Sequence, residues 1–222
     1  MNRHRLIFQA VAVLMYLLLT SVSAIQAQKL TFDRMAKYER SYGDKSYASS
    51  AYAISTNDKC FLEINRHRQE ETKAFLFDYR LRKRHDYIVD STVVDGKVLH
   101  EFRYIKSINL STSPRKGKYC DFESVSTEGD IETVKLNFYK NKSKTKKIST
   151  LILKNQKADA NYFPFFRFIC LHLFESDVAF NYKNGGLILS SESENSSAIL
   201  KEFENIELEI DIPEELSMSP EL

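Results

Sequence analysis

The chain has 222 residues, of which 43% are hydrophobic and 28% charged, with 32 Lys and Arg residues against 30 Asp and Glu residues. The first 24 residues contain two Arg and no acid, so the basic and acidic residues that follow them balance. A chain without net charge gives no electrostatic reason to expect nucleic acid or an anionic membrane as a partner.

The N-terminus has the three-part pattern of a secretory signal peptide. Arg3 and Arg5 precede the apolar run LIFQAVAVLMYLLL, and small residues follow in TSVSAIQAQ. We expect cleavage after Ala24, or as late as Ala27. The alternative is an N-terminal anchor, but the uninterrupted apolar stretch Ala10–Leu19 is shorter than the roughly 20 residues that a spanning helix needs. The pattern predicts an exported protein, periplasmic or extracellular, that is not integral to the membrane after cleavage.

Residues 1–24 are thus the predicted signal peptide, and residues 25–213 are predicted to form a single β-rich domain, a length compatible with one sizeable core. Residues 214–222 follow Pro213 and are expected to form a loose tail. In an oxidising compartment the three Cys residues permit at most one internal disulfide. Cys60 and Cys120 lie in strand-like sequence and are the favoured pair, whereas Cys170 lies in an apolar block, where a free thiol behaves as a small hydrophobe.

The segment KLTFDRMAKYER, residues 29–40, is predicted to be a short N-terminal helix. Thr31 can cap this helix, and Asp33 would lie in its first turn, where the helix dipole favours an acid. Asp33 and Lys37 would form an i,i+4 ion pair. The following SYGDKSYASS is expected to be a loop.

The rest of the chain has the pattern of successive β-strands. The predicted strands are SAYAIS, KCFLEINR, AFLFDYRL, DYIVDSTVV, KVLHEFRYI, KYCDFESVS, IETVKLNFY, KISTLILK, GLILSSESE and IELEIDI. Turn residues at Asp95-Gly96, Glu128–Asp130, Lys140–Lys147 and Asn184-Gly185 predict hairpins between them. Strands at short spacing joined by hairpins predict a mainly β fold with a single curved antiparallel sheet, either a barrel or a half-barrel.

The final strand has the clearest alternation. In IELEIDI, Ile206, Leu208, Ile210 and Ile212 would face the core, and the three acids between them would face solvent. We therefore expect an Asp at position 208 to be far more damaging than a Lys at position 209.

The block NYFPFFRFICLHLF, residues 161–174, is apolar in every direction whether it is drawn as a helix or as a strand. Such a segment is buried on all sides or faces lipid, and it is too short to span a bilayer. Pro164 suits the first turn of a helix, so we predict a buried apolar helix near residues 163–175. This helix is either ordinary core or a lid over an apolar cavity, and Arg167 is expected to reach an acid or the surface along its aliphatic stem. The candidate ligand-binding residues of the lid are Phe163, Phe165, Phe166, Phe168, Ile169, Leu171 and Phe174.

Motifs of catalysis and of cofactor or metal binding do not occur in the sequence. There is no GxGxxG, phosphate loop, CxxC, HExxH or GxSxG. His85 and Asp86 are adjacent, but neighbouring residues on a strand point to opposite faces and would not act together. We therefore predict no catalytic residue, no metal site and no cofactor.

The basic run RLRKRHDY lies at a predicted turn. Arg80, Arg82, Lys83 and Arg84 are candidates for contact with a polyanion such as a glycan, a nucleic acid or a lipid headgroup. A solvated charged loop is the ordinary alternative.

The signal ending AIQAQ, the Lys- and Asn-rich composition and the Tyr- and Phe-rich strands resemble small exported proteins of Bacteroidota. The end of the chain, NGGLILSSESENSSAILKEFENIELEIDIPEEL, is similar in style to the closing hairpin and last strand of lipoprotein-carrier-like half-barrels. Gly185-Gly186-Leu187-Ile188 is similar to the motif of the related GLPGLI group but lacks its Pro. The resemblance implies a curved sheet that encloses a helix and a role in handling apolar ligands in the cell envelope. It assigns no functional residue.

Three functions follow as hypotheses. The leading hypothesis is an exported, non-enzymatic β domain that binds a hydrophobic ligand, such as a lipid or lipoprotein, or an envelope partner. The first alternative is a surface interaction protein with a fully packed core that acts through its charged loops. The second alternative is an enzyme of unknown type.

Overall fold

The computed structural model describes residues 28–65, 71–95, 97–110, 119–171, 182 and 185–212. Within these residues the fold is mainly β, as predicted, with one short helix. The strands are β1 Gln28–Tyr42, β2 Lys45–Ile54, β3 Asn57–Asn65, β4 Lys73–Asp78, β5 Lys83–Val94, β6 Lys97–Asn109, β7 Tyr119–Glu128, β8 Ile131–Tyr139, β9 Lys147–Gln156, β10 Leu187–Glu192 and β11 Ser196–Ile212. The helix, α1, is Phe163–Cys170.

All eleven strands belong to one antiparallel sheet with the order β6-β5-β4-β3-β2-β1-β11-β10-β9-β8-β7. The sheet therefore consists of two meanders that meet where β1 lies beside β11. β6 and β7 are its edges, so the sheet is open. Of the two predicted forms, the closed barrel is excluded.

The sheet curves around α1. β4 and β7 are eight strand spacings apart in the order of the sheet, which would be about 38 Å in a flat sheet. Phe77 of β4 nevertheless contacts Phe168 of the helix, with ring centroids 5.2 Å apart, and Phe122 of β7 contacts Phe163 at 5.5 Å. Five helical residues advance only about 7.5 Å, so the strands must wrap around the helix to make both contacts.

The predicted N-terminal helix is wrong, because residues 28–42 form β1. Asp33 does not stabilise a helical turn; its carboxylate accepts hydrogen bonds from the Ser55 amide at 2.7 Å and the Ser55 hydroxyl at 2.5 Å. Lys37 pairs with Glu202 of β11 at 2.5 Å rather than with Asp33. Phe32, Ala36 and Tyr38 are fully buried on one face. Pairing with β2 on one side and β11 on the other therefore overrides the local helix signals.

The predicted loop at residues 41–50 is also wrong. Tyr42 pairs with Lys45, and Gly43 makes the tight turn between them with a φ of 55°. The hairpins predicted at Glu128–Asp130 and Lys140–Lys147 are confirmed by the pairing of β7 with β8 and of β8 with β9. In the hairpin predicted at Asp95-Gly96, Asp95 has a φ of 50°, and Gly96 and Asn184 lie outside the described residues.

The alternation of the final strand is confirmed. Ile206 and Leu208 are half-buried, Ile210 and Ile212 are buried, and the acids between them are exposed. By its contacts the chain divides into two units, and residues 31–208 form the larger. In the smaller unit, the described residues are the start of β1 and the end of β11, joined by an ion pair of 2.6 Å between Lys29 and Glu209.

The predicted signal peptide, residues 1–24 with its alternative cleavage site at Ala27, and the predicted tail, residues 214–222, lie outside the described residues. Among the residues that the structure does describe, no helix has both the length and the apolarity needed to cross a membrane.

Candidate functional site

The helix predicted near residues 163–175 is confirmed as a buried apolar element over Phe163–Cys170. Pro164 lies in its first turn, as expected. Arg167 is its one charged residue and is half-buried; its positive charge partly offsets the burial that raises the pKa of Tyr79.

Most of the predicted lid residues pack directly against the sheet. Phe166 is fully buried and meets Tyr38 at 5.9 Å. Phe168 stacks on Phe61 with ring centroids 4.8 Å apart. Phe165 meets the same Phe61 ring edge-on at 6.0 Å. The aromatic face of α1 is therefore part of the core, not a roof over an empty space.

Open space lies instead beside the C-terminal end of α1. The larger of two clefts there has a volume of about 380 Å³. Its apolar lining is contributed by Leu151, Phe166, Cys170, Leu171 and Ala198, and its polar lining by Arg40, Ser41, Ser191, Ser196 and Ser197, with Tyr42 and Tyr47 completing the lining. The cleft thus has the mixed character of a ligand pocket, which is mainly apolar with a few polar groups that fix orientation.

A second cleft of about 220 Å³ lies nearby and shares Arg40 and Leu171 with the first. It is lined in addition by Ser49, Ser50, Glu63, Phe168 and Ile169. Of the predicted ligand-binding residues, Phe166, Phe168, Ile169 and Leu171 therefore border one of these two clefts. Phe163 and Phe165 border neither cleft, and Phe174 lies outside the described residues.

Arg40 is the polar residue common to both clefts. Its Nη1 donates to the carbonyl oxygen of Ile169 at 2.7 Å, and its Nη2 donates to the Ser49 hydroxyl at 2.8 Å. A cation at this end of α1 is favoured by the partial negative charge of the last helical carbonyls. The buried Nε of Arg40 has no hydrogen-bond partner among the described residues. The Arg40 side chain lines both clefts.

Glu63 gives the smaller cleft an unusual acid. Burial raises the pKa of this carboxyl group, and a hydrogen bond from Asn65 and the charges of Arg40 and Arg84 only partly oppose the effect. The smaller cleft therefore combines a guanidinium with a carboxyl group that resists ionisation, whereas the larger cleft has Arg40 as its only charged lining residue among those described.

The predicted basic run is divided by the fold. Arg80 and Arg82 are exposed in the turn between β4 and β5, and Lys83 begins β5 half-buried. Arg84 is held in a bidentate pair with Asp86, at 2.7 and 3.0 Å, and lies 4.8 Å over the Phe75 ring. Arg84 is thus already neutralised by Asp86, and polyanion contact stays a prediction for this run.

The favoured disulfide is not present, because neither Cys60 nor Cys120 is in a disulfide bond. Cys60 lies on β3 and Cys120 on β7, with six strands between them in the sheet. A strand-like sequence pattern does not show whether two strands are neighbours or lie far apart in the sheet. Burial raises the pKa of both Cys60 and Cys170 to about 12.

His85 and Asp86 point to opposite faces, as expected for neighbours on a strand. Asp86 pairs with Arg84, whereas His85 lies 6.3 Å from the Tyr104 ring. Within the described residues, no group of three or more His, Cys, Asp or Glu side chains is placed to hold a metal ion.

Arg40 was missed by sequence analysis because residues 29–40 were assigned to a helix. The signal that could have identified it is the two-residue period of Phe32, Ala36 and Tyr38, which places Arg40 on the same buried face. No protein-family model matches this chain, and no curated protein matches it in sequence.

Proposed function

We propose that this protein is an exported, non-enzymatic binding protein for an amphiphile with an apolar body and an anionic head. The observation that carries this proposal is the larger cleft beside α1, which is lined by apolar side chains and by the cation Arg40. A ligand carboxylate would pair with the Arg40 guanidinium, and charge-assisted bonds of this kind are roughly twice as strong as neutral ones.

The volume supports a ligand of modest size. About 380 Å³ lies near the lower end of the range for small-molecule sites, which is about 300–1,000 Å³. The apolar body would contact Leu151, Leu171 and Ala198. The four serines can donate hydrogen bonds to the head, since a hydroxyl is both donor and acceptor.

The test is binding of decanoate, measured by isothermal titration calorimetry, with decyltrimethylammonium as the matched probe of opposite charge. Decanoate is expected to bind at least about tenfold more tightly than the cation, because only a carboxylate pairs with Arg40. Ser197→Phe, which fills the cleft, should abolish binding. Ser149→Phe, at an exposed position of β9 outside the cleft, should leave binding unchanged.

Arg40→Met and Arg40→Lys distinguish the contribution of the positive charge from that of the planar guanidinium, whose N–H donors form a fork that matches a carboxylate. The Met variant should lose the preference for decanoate, and the Lys variant should keep part of it because Lys retains the charge without the fork. Circular dichroism checks that each variant is folded. Equal affinity for both probes, or no binding of either by the native protein, would overturn the proposal.

A surface interaction protein is the second candidate, favoured by one observation. The hairpin of β5 and β6 ends in four exposed aliphatic side chains, with exposed fractions of 71% for Val93, 49% for Val94, 56% for Val98 and 53% for Leu99. Exposed apolar patches mark contact surfaces. Chemical cross-linking in the native envelope should capture a partner at this hairpin, and a Val93→Ser, Leu99→Ser double variant should lose it while retaining decanoate binding.

A further inference from the structure

The outer edge of β6 is free among the described strands, because β6 is the first strand in the order of the sheet and pairs there with β5 alone. This edge is 13 residues long. Alternate residues of an edge strand direct their amide and carbonyl groups away from the sheet, so an edge of this length can accept a further strand. The charged side chains of β6 indicate which strand that is.

One face of β6 carries exposed side chains in a short, ordered set. Leu99 is 53% exposed and Ile105 is 45% exposed, and the acid Glu101 and the base Arg103 lie between them, both exposed. Alternate residues of a strand project from one face, so the order along this face is apolar, acid, base, apolar. Reversing the strand exchanges the acid with the base and keeps the apolar ends, so this face is complementary to an antiparallel copy of itself.

Antiparallel pairing of two identical strands about a two-fold axis fixes which residues are opposite each other. With the axis at Phe102, Glu101 is opposite Arg103 of the second copy. Leu99 is then opposite Ile105 of the second copy, and each of these pairs occurs twice. Moving the axis by one residue in either direction would place two Glu101 or two Arg103 side chains directly opposite each other, which is destabilising. The charges therefore favour the register centred on Phe102.

The neighbouring strand gives a second reason for this register. Asp90 of β5 is directly opposite Glu101, and like charges in this position repel each other. Arg103 offsets the repulsion only weakly, because its Nη2 is 3.9 Å from the Asp90 carboxylate and the two side chains are 64% and 65% exposed. In the register centred on Phe102, Arg103 of the second copy lies on the other side of Glu101. The acid then has a cation as its cross-strand neighbour.

The opposite face of the same residues is aromatic. Phe102 and Tyr104 are half-buried and meet Tyr87 of β5 edge-on, with ring centroids 6.2 and 5.4 Å apart. His100 lies 6.1 Å from Phe102 in the same row. With the axis at Phe102, the two Phe102 rings become cross-strand neighbours and His100 lies opposite Tyr104 of the second copy. Pairing would thus cover the exposed part of this aromatic row.

We propose that β6 pairs with the β6 strand of a second copy of this chain, antiparallel and centred on Phe102, so that the two sheets join across a two-fold axis. This surface is separate from the two clefts lined by Arg40 (the Arg40 clefts) and does not depend on the proposed binding of amphiphiles. It shares Leu99 with the exposed end of the β5–β6 hairpin, and its partner is a second copy of this chain.

The first experiment measures the dissociation constant of the dimer by analytical ultracentrifugation. Arg103→Glu places two acids opposite each other in both symmetry-related pairs and should weaken dimerisation by about tenfold or more. The double variant Glu101→Arg, Arg103→Glu exchanges the two charges and should restore the dimer to within about threefold of the native constant. Lys154→Glu makes the same change of charge at an exposed position of β9, away from the edge, and should alter the constant by less than about twofold.

The second experiment locates the two-fold axis by disulfide formation under mild oxidation. Phe102→Cys should give a covalent dimer on a non-reducing gel, because directly opposite residues have Cα atoms about 5.5 Å apart. Leu99→Cys is at a more exposed position but should not cross-link, since the two copies of residue 99 would be roughly 20 Å apart. Combining Leu99→Cys with Ile105→Cys should restore cross-linking. The native chain, with its three Cys residues, supplies the baseline.

Three outcomes would overturn the proposal. The first is a native protein that sediments as a monomer at the highest concentration that stays soluble, and the second is a dimer that Arg103→Glu leaves unchanged. The third is cross-linking of Leu99→Cys as readily as Phe102→Cys, which would assign the contact to another register or surface. Circular dichroism checks that each variant is folded, and each should retain decanoate binding, so failure at this edge is distinguishable from failure at the Arg40 clefts.

Discussion

Replacing Phe168 by Ala tests whether the aromatic face of α1 is core. The ring is 8% exposed, stacks on Phe61 with an interplanar angle of 9° and meets Phe77 edge-on at 5.2 Å. Burial of a Phe side chain is worth about 1.5–3 kcal/mol, and each aromatic pair adds about 0.5–1.5 kcal/mol. We therefore expect Phe168→Ala to lower the free energy of unfolding by about 3–5 kcal/mol, the usual range for a buried Phe.

The assay is urea unfolding followed by far-UV circular dichroism, since the chain contains no Trp. Val93→Ala is the control, because Val93 is 71% exposed and surface substitutions change stability by only about 0.5 kcal/mol. A loss below about 1 kcal/mol in Phe168→Ala, against the range for core truncation, together with weaker uptake of an apolar fluorescent probe, would show that the ring serves the adjoining cleft rather than the core. The core assignment would then be refuted.

Three further predictions concern other parts of the fold. Ile210→Asp buries an unpaired charge and should lower the free energy of unfolding in urea by roughly 3 kcal/mol or more. Glu207→Gln, on the exposed face of the same strand, should lower it by about 0.5 kcal/mol or less. Equal effects of the two substitutions would show that the buried and exposed faces of β11 are assigned wrongly. The half-buried Cys120 should react with iodoacetamide before Cys60 and Cys170, because burial raises the pKa of the latter two thiols to about 12. The order of modification is measured by site-resolved mass spectrometry. Modification of Cys60 before Cys120 would contradict the prediction. Burial lowers the pKa of His85 below its ordinary value of 6.5. As the pH falls below 6.5, the imidazole is therefore protonated in the unfolded chain before it is protonated in the folded protein, and the folded protein loses stability. His85→Gln should reduce this loss of stability, measured as the urea midpoint on acidification, and an unchanged pH profile would count against the buried neutral imidazole.

The fold was largely predictable because its determinants are local. Alternation in IELEIDI and turn residues such as Gly129 act over a few positions, and the apolar block around Phe166 has no polar side in any conformation. The segment at 29–40 failed for the opposite reason. Its cap and ion-pair signals are local and helical, but β1 is stabilised by two neighbours, of which β11 lies at the other end of the chain.

The candidate sites were less predictable, because each depends on which strands are neighbours. Arg40 and Ile169 are 129 positions apart and meet because the sheet curves around α1. The apolar pattern of residues 161–174 predicts a buried helix but does not decide whether this helix is part of the core or a lid over a cavity. In the structure the aromatic face packs in the core, and the two Arg40 clefts lie beside the C-terminal end of the helix.

The pairing of the first and last described strands sets the order in which this sheet can assemble. Among the described strands, all neighbours except β1 and β11 are consecutive in sequence. Both meanders can therefore form early, and their longest connection is residues 157–186 between β9 and β10. Joining them requires closure of a far longer loop, and contacts of high sequence separation slow folding. A chain that lacks the 17 residues of β11 would leave β1 and β10 as two additional open edges. During synthesis these edges exist until the last strand emerges, and unpaired edges are the places where chains associate wrongly.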